Sequence, residues 1–438
     1  MNAAERARLD AYLSVPSISA TADHEDDMRQ AAEIFVAEIE RAGGSAGNVD
    51  EGGHPLVIGR CGPDGGPRVL LSGHYDVQPV GDPGEWESPP FTPTERGEHL
   101  YARGASDDKG NVWMLLVAVQ RLAAAGELGV GVDFLIEGEE ESGGDSAEKW
   151  LRREAPACDL GVVFDAPMVA VGAPSYCVGL RGLVYRRLTL TTGTTDGHSG
   201  LYGGAGLNAV HALVGLLGAV APRNGRLIAP LEAGVAEPGR AEVDGWDALP
   251  PGKELLADVG LRPADPTAAA DFHRRTTAAP SLDVHALEAG EIDLVKTNLP
   301  VTARATLSLR VAPGQSAAAL GETLDGALRG AAPAGADLEI EGLNEGEASL
   351  LDGSRPAVAR AVAGMEDALG LTFTPVRVGG SIPIIACMED VGIPTLLTGF
   401  GLPDDAIHGA NERIRVDHLG LGVRAAIGAL RALGAPTP

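Results

Sequence analysis

Apolar residues in this chain fall into two kinds of run, and the change from one to the other divides it. Residues 25–42 (EDDMRQAAEIFVAEIERA) set Ile34, Phe35 and Ile39 on one helical face, and Gly43-Gly44 end the helix. The unbroken runs RVLLS (68–72) and VDFLI (132–136) suit buried strands. Between them, NVWMLLVAVQRLAAA (111–125) is long enough for a buried helix. A further helical stretch, 145–154, leads into the strand LGVVFD (160–165). Strand and helix alternating in this way predict an α/β sheet with helices on both faces.

Near Gly182 the pattern changes. VYRRLTLT (184–191) and ARATLSLRV (303–311) alternate apolar and polar residues, as half-exposed strands do, and helix candidates 207–220 and 316–328 follow them. That is the pattern of a small α+β domain with one sheet face covered. Residues 222–280, rich in Pro, Gly, Ala and Asp, are expected to be mostly irregular. The first pattern then returns with helix 356–369, strand 373–378, helix 383–390, strand 394–398 and helix 418–432. At roughly 150 residues per domain, 438 residues allow two or three domains. The expected organisation is one α/β domain, 1–182 with 346–438, interrupted by an inserted domain, 183–345.

Charge narrows the function. Sixty-one acidic against 34 basic side chains give −27, a field that repels phosphate backbones and anionic lipid, so neither nucleic acid nor membrane is an expected partner. No stretch approaches the roughly 18 apolar residues of a membrane span. The first residues, MNAAERARLDAYL, carry charges at helical intervals rather than an apolar signal core. Cys61, Cys158, Cys177 and Cys387 are scattered and form no CxxC pair, against a disulfide framework or cysteine-bound zinc. A cytoplasmic location is expected.

Acids and histidines gather at strand ends. His74 and Asp76 follow RVLLSG; Asp107-Asp108 open a helix; Glu139-Glu140-Glu141 follow VDFLIEG; Asp165 ends LGVVFD; His408 follows PTLLTG in a Gly-rich loop. Ligand sites in open α/β sheets form outside the carboxyl ends of strands, and carboxylates with imidazoles on one rim are what a metal centre needs. No GxSxG elbow, GxGxxG turn or Walker loop is present, which disfavours serine hydrolysis and nucleotide cofactors.

The motifs HYDVQP (74–79), RGASDDKG (103–110), EGEEESGG (137–144), FDAP (164–167), GLRG (179–182), DGHSGLYGG (196–204), GGSIP (379–383) and IHGANER (407–413) occur in that order. The chain thereby resembles the dinuclear metallopeptidases that include carnosinases, aminoacylases, succinyl-diaminopimelate desuccinylases and glutamate carboxypeptidases. The resemblance covers nearly the whole chain and is greatest to the carnosinase-like dipeptidases. It implies a zinc-peptidase mixed sheet between helices, with an inserted ferredoxin-like lid or dimerisation domain. His74, Asp107 and Asp165 would hold one divalent ion, and Asp107, Glu141 and His408 the other. Zinc is the first expectation, with manganese or cobalt as alternatives. Glu140 would be the general acid/base, a register that leaves Glu139 spare, and Asp76 would orient His74. The resemblance also implies a homodimer in which His198 reaches the partner's site as oxyanion donor. Thr297, Arg310, Ser381 and Gly380 would hold the substrate's carboxylate end. The family branch usually has a substrate-contacting His near 342–346, where this chain has Asn344, so substrate preference does not transfer.

Asp rather than Glu at position 165 goes, in such families, with recognition of a free amino terminus. The expected reaction is amide hydrolysis of dipeptides or short peptides by a hydroxide shared between the metals, with Glu140 as base. Deacylation of N-acyl- or N-carbamoyl-amino acids is the alternative. A non-catalytic binding protein on the same fold is a third reading.

Overall fold

Why the long apolar runs are unbroken is plain from where they lie. In the computed structural model, which describes residues 1–435 apart from the side chains at 241, 248 and 258, they are interior strands. Elements are labelled in chain order: α1 (Glu25–Arg41), β1 (Leu56–Cys61), β2 (Arg68–His74), α2 (Lys109–Ala125), β3 (Gly131–Glu137), β4 (Leu160–Phe164) and β5 (Gly182–Thr191). Then come α3 (Ala209–Val220), β6 (Ser281–Glu288), β7 (Thr302–Val311), α4 (Ala317–Ala331), β8 (Asp337–Gly346), α5 (Pro356–Leu369), β9 (Thr395–Thr398) and α6 (Val416–Gly434). The chain forms two compact units. One comprises Met1–Val178, Leu351–Val376 and Ile382–Pro438, and the other Gly179–Leu350 with Arg377–Ser381.

In the first unit the strands run β1-β3-β2-β4-β9 across the middle of a mixed sheet. β2 is parallel to both β3 and β4, and β9 is parallel to β4. β1 is antiparallel to β3. Parallel strands need crossover connections, and α2 supplies one between β2 and β3. This helix is apolar almost all round because it is buried all round, from Val112 through Val119. Gly126, at φ 69°, takes the left-handed position that ends it. Four strands sharing one direction place their carboxyl ends on one rim, and every acid or histidine singled out after them in the sequence starts from there.

The second unit is built on a four-stranded antiparallel sheet, β6-β7-β5-β8. Alternate residues of β7 (Ala303, Ala305, Leu307, Leu309, Val311) join Val184, Leu188 and Leu190 of β5 in a core covered by α3 and α4. Both helices start at capping side chains. Asn208 accepts from Val210 N and His211 N at 2.9 and 3.2 Å, and Ser316 caps α4, so α3 begins at Ala209 rather than 207. Segment 222–280 carries short helices at Ala229–Glu232, Arg240–Gly245 and Gly252–Asp258 between its irregular stretches. Arg377–Ser381 group with this unit, and so therefore do Gly380 and Ser381.

Candidate metal centre

β2 ends on His74, a buried side chain. Its Nε2 lies 3.1 Å from Asp107 Oδ1, while its Nδ1 lies 3.1 Å from the carbonyl oxygen of Asp76 and 3.3 Å from Asp76 Oδ1. The imidazole is thus oriented through the Asp76 carbonyl as well as the carboxylate expected from the sequence. Asp76 Oδ2 instead accepts from Ser19 Oγ at 2.6 Å and from Glu141 N at 3.1 Å, tying the turn after β3 to the end of β2.

Asp107 precedes α2. Its second oxygen, Oδ2, is 3.0 Å from His408 Nε2 in the loop after β9. The same His408 nitrogen is 3.3 Å from Glu141 Oε2. One ligand atom each from His74, Asp107 and Asp165 lie within 4.8 Å of one another, and so do one each from Asp107, Glu141 and His408. Asp107 is common to both groups and offers a different oxygen to each imidazole. In the glutamate run it is Glu141 that meets His408; Glu139 Oε1 accepts from His54 N at 3.2 Å.

Electrostatics say what this cluster lacks. Among the described residues, no Arg or Lys forms an ion pair with Asp107, Glu141 or Asp165. Burial and the nearby Asp107 carboxylate push the Asp165 carboxyl well above its usual range. Burial, only partly opposed by His74 and reinforced by Glu141 and Asp107, pushes Glu140 up to about 7. Burial disfavours a charge on Asp107 too, but hydrogen bonds from His408 and His74 outweigh it and hold that carboxyl well below the ordinary range. Hydrogen bonds to Asp107 and Glu141 raise His408 to about 10. Burial acts against a charge on His74, yet its bonds to Asp107 and Asp76 keep it well above the usual imidazole value. Crowded carboxylates that hold protons on neighbouring imidazoles are competing for positive charge. A pair of divalent cations fits that donor set, with His nitrogen and Asp/Glu oxygen and one carboxylate available to both ions.

The remaining sequence candidates lie in the second unit. His198 is exposed and caps the short helix Ser199–Tyr202; its Nδ1 accepts from Gly200 N at 2.9 Å. With Nδ1 accepting, a neutral imidazole carries its proton on Nε2. Thr297 is exposed, and its carbonyl accepts from Ser199 N at 2.8 Å. Arg310, opposite Ser281 in the sheet, is half-buried and forms no ion pair among the described residues; burial lowers its pKa. Gly380 is exposed and Ser381 half-buried.

Several participants had no separate signal in the sequence. Gln78 donates to Glu141 Oε2 at 2.7 Å, and Ser19 reaches Asp76 from the N-terminal segment. Arg181, buried, donates to the Gly379, Arg275 and Ala279 carbonyls at 3.2–3.4 Å and to Ser281 Oγ at 3.2 Å. Gln78 and Arg181 lie inside the quoted motifs; Ser19 lies in none.

Comparison with known proteins agrees with this geometry. Residues 70–432 match the model of peptidase family M20/M25/M40. Cysteinylglycine-S-conjugate dipeptidase of Corynebacterium striatum is 30% identical over 423 residues, covering 91% of this chain and 89% of that protein. The Beta-Ala-His dipeptidase of Rattus norvegicus is 27% identical over 82% of this chain and 76% of its own length. Among solved structures, the metallo-carboxypeptidase Sso-CP2 of Sulfolobus solfataricus superposes with a TM-score of 0.88 at 26% identity, covering 99% of this chain and 100% of that one. The dipeptidase Dug1p of Saccharomyces cerevisiae gives 0.83 at 23% identity, covering 99% and 96%, and at that identity shows the shared fold alone. The metallopeptidase resemblance read from the ordered motifs and the family match coincide: this chain belongs to peptidase family M20/M25/M40.

Proposed function

We propose that this protein is a metal-dependent dipeptidase that hydrolyses the amide bond of dipeptides and short peptides with a free amino terminus. The observation that carries the reading is Asp107, whose two oxygens each face a different imidazole. His74 and Asp165 complete one cation site, Glu141 and His408 the other, and zinc suits this mixture of nitrogen and oxygen donors. Cations held by these residues would supply polarisation of the scissile carbonyl and a more acidic water near neutral pH.

This chain's own residues supply the remaining chemistry. Burial disfavours charge on the Glu140 carboxyl, which suits it to accepting a proton from the attacking water and returning it to the leaving amine nitrogen. The Asp76 carbonyl holds His74 with Nε2 aimed at the cation site. We assign His198 Nε2–H as donor to the developing oxyanion, acting across a homodimer, and Arg310 with Thr297, Gly380 and Ser381 as holding the carboxylate end. A guanidinium that forms no ion pair among the described residues suits a carboxylate that arrives with the substrate. Dipeptidase names among the relatives support dipeptides as the substrate class. Cys61, Cys158 and Cys387 form no disulfide, in keeping with a cytoplasmic location.

A panel of dipeptides beside their N-acyl and N-carbamoyl counterparts, run with added zinc and with manganese, tests the reading. Dipeptides should be turned over fastest. Turnover confined to blocked amino acids would make the protein a deacylase, and none at all with both ions bound would make it a binding protein.

A further inference from the structure

Two side chains in the quoted motifs, Arg103 of RGASDDKG and Glu412 of IHGANER, have no part in the chemistry above. They are 1% and 0% exposed and form an ion pair of 2.7 Å. Glu412 uses every lone-pair direction it has on one short loop. Its Oε1 accepts from the backbone N–H of Ser106 and of Asp107, both at 3.0 Å. Its Oε2 accepts from Gly104 N at 2.9 Å as well as from Arg103. Arg103 reaches the other way, donating from Nη2 to the carbonyl of Gly409 at 3.1 Å and of Pro79 at 3.2 Å. One ion pair therefore grips the peptide group of Asp107 and the residue that follows His408.

The second loop needs holding. Ala406, His408 and Asn411 sit at φ 56°, 60° and 61°, left-handed values that side chains other than glycine adopt at some cost. Asp405 adds a parallel link, accepting from Ser106 Oγ at 3.1 Å. A buried ion pair is seldom kept for stability alone, since apolar replacements of similar volume often serve as well. What an apolar pair could not do is satisfy three backbone N–H groups of one loop while binding a carbonyl of the other.

We infer that the Arg103–Glu412 pair is a positioning device, setting the distance between Asp107 and His408 so that one cation can take both. The inference rests on the dinuclear reading of these residues. Residues that orient metal ligands typically change metal affinity by about 10- to 100-fold when altered. Glu412→Gln should therefore weaken zinc binding by at least tenfold at one of the two sites, measured by competition with a chromophoric chelator. kcat should fall with it while KM changes little. Arg103→Lys keeps the charge but loses the fork that serves Glu412 and Gly409 together; it should show the same selective loss, and it carries the test should Glu412→Gln fail to fold. Leu430→Ala, a core truncation in α6, supplies the control: matched for lost thermal midpoint, it should bind both ions with wild-type affinity. Undiminished binding of both ions by Glu412→Gln and Arg103→Lys, or an equal loss in Leu430→Ala, overturns the inference. Absence of zinc binding by the wild-type protein is a different result, and it overturns the dinuclear reading itself.

Discussion

The rim of the first unit and the His198 region of the second carry the same kinds of side chain in opposite circumstances. On the rim, His74, Asp107, Glu141 and His408 contact one another within 3.0–3.3 Å, and their supports are buried. In the second unit His198 and Thr297 are exposed, and Arg310, half-buried, forms no ion pair among the described residues, with Asp283 its acidic neighbour. The rim's nitrogen and oxygen donors fit small cations. Among the described residues the second set offers an imidazole and a guanidinium outside any ion pair, groups that on the proposed function would meet a substrate and a second subunit. Pre-assembled chemistry in one region and open recognition in the other is the contrast to be broken or sharpened.

The largest effect is expected at the shared carboxylate. Asp107→Ala should remove both ions and all measurable turnover, whereas Glu141→Ala or Asp165→Ala should each retain one ion. Metal content per chain checks this, and two ions in Asp107→Ala would remove the bridge from the account.

Next comes the glutamate run. Glu140→Gln should keep both ions and lose about 100- to 10,000-fold in kcat. Glu139→Gln, whose carboxylate faces His54 N, should stay near wild type. The reverse pattern would shift the register by one residue.

How far such a site can be read from a sequence depends on how each residue gets its role. His74, Asp165 and the glutamate run were legible because each follows an unbroken apolar run, and parallel strands deliver their ends to one edge. Asp107 needed the family motif as well, since an acid opening a helix is ordinary. Ser19 acts on Asp76 across a sequence separation of 57, and nothing in local pattern foretells such a bond. β8 was not anticipated either. Leu338 and Ile340 alternate with acids as an edge strand should, but a bulge between Gly342 and Asn344 breaks the alternation where it would need to continue.

A smaller effect belongs to the second region. Loss of one oxyanion donor typically costs about 100- to 1,000-fold in turnover, so His198→Ala should fall in that range with metal content unchanged. Mixed with Glu140→Gln and allowed to exchange subunits, it should regain activity, because heterodimers pair an intact base with a partner's intact imidazole. No recovery after demonstrated exchange would confine His198 to its own chain or remove it from catalysis.

The smallest effect is on stability. Burial pushes the Asp405 carboxyl up to about 6, despite its bonds from Leu402 N and Ser106 Oγ. A carboxyl raised on folding favours the folded state below its unfolded pKa of about 3.9 and loses that contribution as pH rises through the folded value. Between about pH 4 and pH 6 the metal-free wild type should therefore lose thermal stability relative to Asp405→Asn, which does not titrate. Parallel profiles for the two proteins would contradict this.

The central claim is that two cations sharing Asp107 make this chain a dipeptidase. Its most direct test is titration of chelated protein with zinc while dipeptide hydrolysis and bound metal are followed together. The account predicts no turnover without metal, saturation at two ions per chain, and full activity only as the second ion binds. Turnover in metal-free protein, or full activity at one ion per chain, would contradict it.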